Sequence, residues 1–191
     1  MKLNGHSKTI EKVNTLTFDV FGTVLDLAGS LVPPLEKLLK VCNAPESLTA
    51  VDVWNHWRLR QRLEQYQDNI IMLGHSGYLE VKKRALLYTL RLLKIEFTYE
   101  KVDEFMKAYH ELIPFQDAVA GLKRLGTKYR LVILSNGEEW YLKQLVKNNI
   151  GIDFNEILCA EMISQFKPHP SVYRFAANRL ELEPTQIMMV A

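Results

Sequence analysis

The chain has 191 residues, 48% of them hydrophobic, which suits one globular domain or a core domain with a smaller insertion. Its 24 basic and 22 acidic side chains nearly cancel, and a net charge of +2 gives no electrostatic case for nucleic acid or a membrane surface. No apolar run approaches the roughly 20 residues of a membrane span, and the polar stretch MKLNGHSKTIEKVN lacks the apolar segment of a secretory signal.

The first predicted element is a strand over 15–20 (TLTFDV), β-branched and aromatic, which reads as a buried parallel strand running into a Gly-Thr turn. From about residue 31 to 113 no strand-like run occurs. Three amphipathic patterns, LVPPLEKLLKVC, AVDVWNHWRLRQRLEQY and GYLEVKKRALLYTLRLLKI, predict an inserted helical subdomain there. Gly29-Ser30 and Pro33-Pro34 punctuate one edge and Pro114 the other, so the expected division is 1–28 with 114–191 as core and 29–113 as insertion. A helix over 117–125 follows, with Asp117 at its N-cap and Gly126 at its end. The strand 130–134 (RLVIL) stops at Ser135-Asn136-Gly137. Helices over 139–148 and 172–180 then alternate with strands 156–160 (EILCA) and 186–190 (QIMMV). Such alternation with short connections predicts a doubly wound α/β layer. Cys42 and Cys159 are far apart in apolar surroundings and read as small buried hydrophobes in a reduced, cytoplasmic setting.

In an open parallel sheet, ligands bind beyond the carboxyl ends of the strands. Three predicted strand ends deliver chemistry: Asp19, then Ser135 with Asn136, then Lys167 in the loop after the third strand. A carboxylate among apolar residues costs free energy unless something uses it. Asp19 can be a nucleophile, Lys167 can hold it ionised and oriented, and Ser135, Asn136 and loop amides can bind an anionic substrate.

FDVFGTVLD, LVILSNG and FKPHPSVY together resemble the haloacid dehalogenase superfamily, and within it the chain is most similar to the L-2-haloacid dehalogenases, from about Leu16 to the last residue. The resemblance implies a Rossmann-like α/β core with a helical cap inserted after the first strand. It puts Asp19 in the nucleophile role and matches Thr23, Ser135, Asn136, Lys167 and Tyr173 to the family's motifs. Trp57-Arg58 fits the place where the family's cap carries an arginine that holds the substrate carboxylate and assists halide departure. Phosphatase members carry a second Asp two residues after the nucleophile, to protonate the leaving alkoxide. Phe21 stands there in this chain, among the substrate-contacting residues, and halide needs no proton to leave. The expected reaction is hydrolytic dehalogenation of a short 2-haloacid through an aspartyl ester, with a small-molecule substrate and no cofactor or metal. A homodimer is compatible with the apolar cap helices. The chain stops at Val190-Ala191, where the family's next loop supplies a small residue, an Asn and an Asp. Its core is therefore expected to lack a C-terminal part, which motivates one alternative, a truncated or degenerate non-catalytic protein that keeps the fold. A second alternative is a magnesium-dependent phosphatase of the same superfamily acting on a small phosphate ester, against which Phe21 argues.

Each residue also has a plainer reading. Asp19 and Thr23 could cap a turn, Ser135 and Asn136 could only form one, and Lys167 could be a surface lysine. Arg58, Arg60 and Arg62 could share a solvated helix face, and Tyr173 could pack in the core. Asp26 reads as a cap, and Trp54, Trp57 and Tyr78 as helix-packing residues. None of the five histidines has a ligand-spaced partner, and His169 reads as a loop residue.

Overall fold

The β-branched and aliphatic runs form one parallel sheet. In the computed structural model, which describes residues 12–71 and 73–191, its strands are β1 (Thr15–Phe18), β4 (Arg130–Ser135), β5 (Glu156–Cys159) and β6 (Ile187–Val190), in the order β5-β4-β1-β6. The polar stretch before Lys12 lies outside the described residues. Two-residue strands β2 (Leu25–Asp26) and β3 (Ile113–Pro114) pair separately. The helices are α1 (Leu27–Val41), α2 (Ala50–Ile70), α3 (Tyr78–Leu92), α4 (Tyr99–Met106), α5 (Ala118–Gly126), α6 (Glu139–Leu145) and α7 (Pro170–Leu180). None of them is long and apolar enough to cross a membrane. The chain separates into two units, one ending at Leu25 and resuming at Pro114, the other Asp26–Ile113.

The first unit has the Rossmann-like α/β fold. All four residues of β1 are buried, in register with β4 (Phe18 beside Ile133) and with β6 (Phe18 beside Val190). One side of the sheet packs Val132, Leu134 and Leu158 on Val172, Ala176 and Leu180 of α7, with Ile187 and Met189 partly buried against them. Full burial of each of these valine and leucine side chains stabilises the fold by about 1.5–3 kcal/mol. Among the described residues β6 is an edge strand, and Met188 is exposed.

Strand β1 ends two residues before the predicted limit because the chain turns. The Val20 carbonyl accepts from the Val24 and Leu25 amides at 3.0 and 2.9 Å, and Gly22 N–H donates to the Leu25 carbonyl at 2.9 Å. Gly22 has φ +93°, a conformation that only glycine adopts without strain. Asp19 N–H still donates to the Val190 carbonyl at 2.9 Å, so its side chain leaves from the last rung of the ladder.

Helix ends differ from the predicted ones for local reasons. Asp117 precedes α5 as expected but has helical dihedrals and makes no side-chain cap bond. Helix α6 continues through a π-helical turn, Val146–Ile150, closed by Gly151 at φ +66°. Helix α7 starts at Pro170, two residues earlier than predicted. Proline suits the first turn, and His169, instead of being loose in a loop, caps it by accepting from Ser171 N–H.

In the second unit α1 begins at Leu27, before the expected boundary, and runs through Gly29, Ser30, Pro33 and Pro34. The buried stripe Leu27, Leu31, Leu35, Leu38, Leu39 outweighs those breakers, and Asp26 caps the start by accepting from Gly29 N–H at 2.9 Å. Thr49 and Asp52 form a reciprocal capping box at the start of α2. Trp57 lies at the centre of the unit. Its ring meets Trp54, Phe105 and Tyr109 edge-on at 5.5–6.1 Å, and its indole N–H donates to the Lys82 carbonyl at 2.9 Å. Tyr78 joins this cluster through Tyr109, so all three aromatics pack as the sequence suggests. Beyond it α2 and α3 are joined by ions: Glu64 binds Arg60 and Arg84, and Asp68 binds Arg84 and Ser76.

Candidate active site

Three strand ends of the first unit converge on one carboxylate. Asp19 follows β1, Ser135 closes β4, and the loop after β5 carries Lys167. Lys167 Nζ lies 2.9 Å from Asp19 Oδ1 and also donates to the Leu134 carbonyl at 2.7 Å. Ser135 Oγ donates to the same Oδ1 at 3.2 Å. The ion pair is largely shielded, with side chains 10% and 22% exposed, so its charge-assisted bond acts at short range with little screening. Asp19 Oδ2 takes part in none of these bonds. One oxygen is fixed and the other keeps its lone pairs.

The other expected residues fall into place unevenly. Asn136 spends its amide on the lysine loop: Oδ1 accepts from Lys167 N–H at 2.7 Å, and Nδ2 donates to the Lys167 carbonyl at 3.4 Å. That arrangement positions Lys167, where the sequence suggested an anion-binding group. Phe21 is buried, stacks on Tyr141 at 5.7 Å and packs over Gly137, where an added Cβ would come 2.9 Å from the ring. Thr23 lies half-buried in the turn after Gly22, joined to Val20 through its backbone. Tyr173 is 40% exposed, not core, and borders an apolar cavity of about 220 Å³ with Thr17, Leu134 and Met189. Partial burial and then the Asp19 charge raise its phenol pKa above the ordinary value, which puts the ring within electrostatic reach of the carboxylate.

Arg58 belongs to the second unit, where the three arginines of α2 separate. Arg60 is paired with Glu64 and Arg62 is exposed, whereas Arg58 is half-buried. Arg58 Nη1 donates to Gln61 Oε1 at 2.8 Å, and the guanidinium lies over the Trp54 ring at 5.5 Å. Among the described residues it has no ion-pair partner. The bond from Lys167 to the Leu134 carbonyl and the bond from Arg58 to Gln61 were not foreseen from the sequence. A carbonyl leaves no mark on sequence, while the i, i+3 spacing of Arg58 and Gln61 was the signal available.

Cys42 and Cys159 are free and buried, and burial pushes the Cys159 thiol up to about 11, so neither is poised as a thiolate. Among the described residues, no three His, Cys, Asp or Glu side chains gather as metal ligands would.

The sequence model of the haloacid dehalogenase-like hydrolases matches residues 13–190. The (S)-2-haloacid dehalogenase 4A of Burkholderia cepacia is 28% identical over 184 residues, 95% of this chain and 76% of that enzyme. The (S)-2-haloacid dehalogenase of Xanthobacter autotrophicus is 29% identical over 180 residues, 94% of this chain and 67% of that enzyme. A crystal structure of a dehalogenase superposes with a TM-score of 0.80 at 26% identity, covering 94% of this chain and 76% of that one. A match spanning both halves of the interrupted core and the insertion between them settles the lineage: the chain belongs to the haloacid dehalogenase-like hydrolase family.

Proposed function

We propose that the chain hydrolyses short 2-haloacids to 2-hydroxy acids through an ester on Asp19. The observation that carries this reading is the division of labour within one carboxylate: Oδ1 is held by Lys167 and Ser135, and Oδ2 is left to attack. An Oδ2 lone pair forms a bond to C2 as the carbon–halogen bond breaks, and the halide leaves with the electron pair, inverting C2. Water then adds to the Asp19 carboxyl carbon and the bond from that carbon to the alkyl oxygen breaks. One water proton ends on the product hydroxyl, the other passes to solvent, and the water oxygen stays in Asp19. Neither step calls for a redox group, and the displacement calls for no proton donor to the departing halide, in keeping with Phe21 at its position. Arg58, a cation without a counter-carboxylate, is the proposed receptor for the acid's own carboxylate. A single turnover of (S)-2-chloropropanoate in heavy-oxygen water is expected to release one chloride and leave label in Asp19. Label found only in the hydroxy acid would overturn the covalent route.

Helix α2 supports a homodimer as the working form. Its inner face buries Gln61, Glu64 and Asp68, while Leu59, Leu63, Tyr66 and Ile70 stand 60, 43, 45 and 78% exposed. Steps of four, three and four residues make these a heptad seam, the pattern another helix fits. A second copy lying antiparallel sets Leu59 against Ile70 and Leu63 against Tyr66. It also brings Arg60 and Arg62 to the partner's carboxyl-terminal half, where the helix dipole welcomes cations. Sedimentation velocity is expected to give a dimer, and Leu63→Glu a monomer; a monomeric parent would remove the idea. We also place the protein in the cytoplasm, on its two free buried thiols; fractionation of the source cells checks this.

A further inference from the structure

Beside Arg58, α2 carries a wholly buried amide with an unused donor. Gln61 is 0% exposed; its Oε1 accepts from Arg58 Nη1 at 2.8 Å, and its Nε2 has no hydrogen-bond partner. Native interiors rarely leave such a donor unpaired, and where they do a ligand or a water commonly completes it. Tyr109, fully buried, stands next to the pair. Burial pushes its phenol pKa up, and the Arg58 charge and then the Gln61 amide, which points its N–H toward the phenol oxygen, pull it part of the way back. Aromatic rings wall in this polar island, with Trp54 under the guanidinium and Trp57 edge-on to Tyr109. The island therefore holds a cation without a counter-ion, a phenol, and an amide whose N–H groups make no well-formed hydrogen bond and have the phenol oxygen beside them.

We infer that Gln61 is a positioning residue for the acid's carboxylate: Oε1 fixes the Arg58 guanidinium, and Nε2 donates to a carboxylate oxygen seated on it. This rests on Arg58 being the carboxylate receptor. A neutral amide suits the task because it can accept from the arginine and donate to the acid at once, whereas a glutamate there would neutralise Arg58 and repel the ligand.

The test measures binding, so it does not depend on turnover. The probe is 2-hydroxypropanoate, an unreactive product acid, titrated by tryptophan fluorescence because Trp54 lies against Arg58. Gln61→Met keeps length and volume and removes both polar atoms, and is expected to raise Kd about tenfold to a hundredfold, the range for a hydrogen bond to a charged group. Gln61→Glu keeps the shape and is expected to bind still more weakly; it also serves if the methionine variant does not fold. A glutamine with only a structural role would change thermal stability while Kd stayed within about twofold in both variants, and that result overturns the inference. Arg58→Ala separates the two claims. If it leaves Kd unchanged, the receptor reading fails and takes Gln61 with it. If it weakens binding while neither Gln61 variant does, only the role of Gln61 fails.

Discussion

Asp19→Asn is expected to lower halide release by about ten-thousand-fold or more, the scale on which removal of a nucleophile acts. Asparagine keeps the shape and an acceptor oxygen for Lys167 and Ser135, so the loss comes from the attacking atom: an amide nitrogen has no lone pair free to displace halide. Asp19→Ala is expected to lose as much activity, with a second consequence. It strands the Lys167 ammonium, 10% exposed, with only the Leu134 carbonyl near it, and should cost about 1–3 kcal/mol of stability. Urea denaturation beside steady-state halide release tells the two effects apart. Equal activity in Asp19→Asn and the parent would leave Asp19 a structural residue and end the covalent account.

Lys167→Met is expected to reduce kcat about a hundredfold to a thousandfold, as when one preorganised donor is taken from a reacting oxygen. Methionine fills the volume of the lysine stem but cannot hold Asp19 Oδ1 or the Leu134 carbonyl. Ser135 alone then orients the carboxylate, so Oδ1 and Oδ2 exchange roles more freely and fewer encounters find the attacking oxygen aimed. Lys167→Arg is no remedy, because a planar guanidinium cannot copy the compact ammonium that sits between a carboxylate and a carbonyl. The signature is a fall in kcat with KM little changed, since Lys167 orders the enzyme's own nucleophile. A raised KM with normal kcat would make the lysine a substrate-binding group instead.

Much of this arrangement was legible because strand-end chemistry is local. An apolar run that ends in a carboxylate, a Ser-Asn-Gly or a loop lysine announces both the sheet and the direction in which it delivers a side chain. The sequence said least where a local rule met a non-local need. Gly29, Ser30, Pro33 and Pro34 read as punctuation, yet the leucine stripe of α1 carries the helix through them. Asn136 reads as an anion binder, and the structure adds that its amide bonds the backbone of a residue 31 positions away, which no local pattern encodes. Tyr173 looked equally like core, and only the fold sets it near Asp19. Of the three arginines on α2, Arg60 is paired and Arg62 is exposed, so Arg58 became recognisable as the half-buried one without a carboxylate once α2 and α3 had matched their charges.

The insertion interrupts the sheet between its two central strands, so β1 and β4 must find each other across the length of the helical unit. That unit closes on itself at the point of interruption, where the Ile113 amide donates to Ser30 Oγ at 3.0 Å. Once its helices have formed, it acts as a clasp that hands the sheet two chain segments already close together. Since the cost of loop closure grows only with the logarithm of length, a preformed insertion spares the nascent sheet roughly 1 kcal/mol of chain entropy. That saving favours assembly from the middle of the chain outward, with the outer segments pairing last.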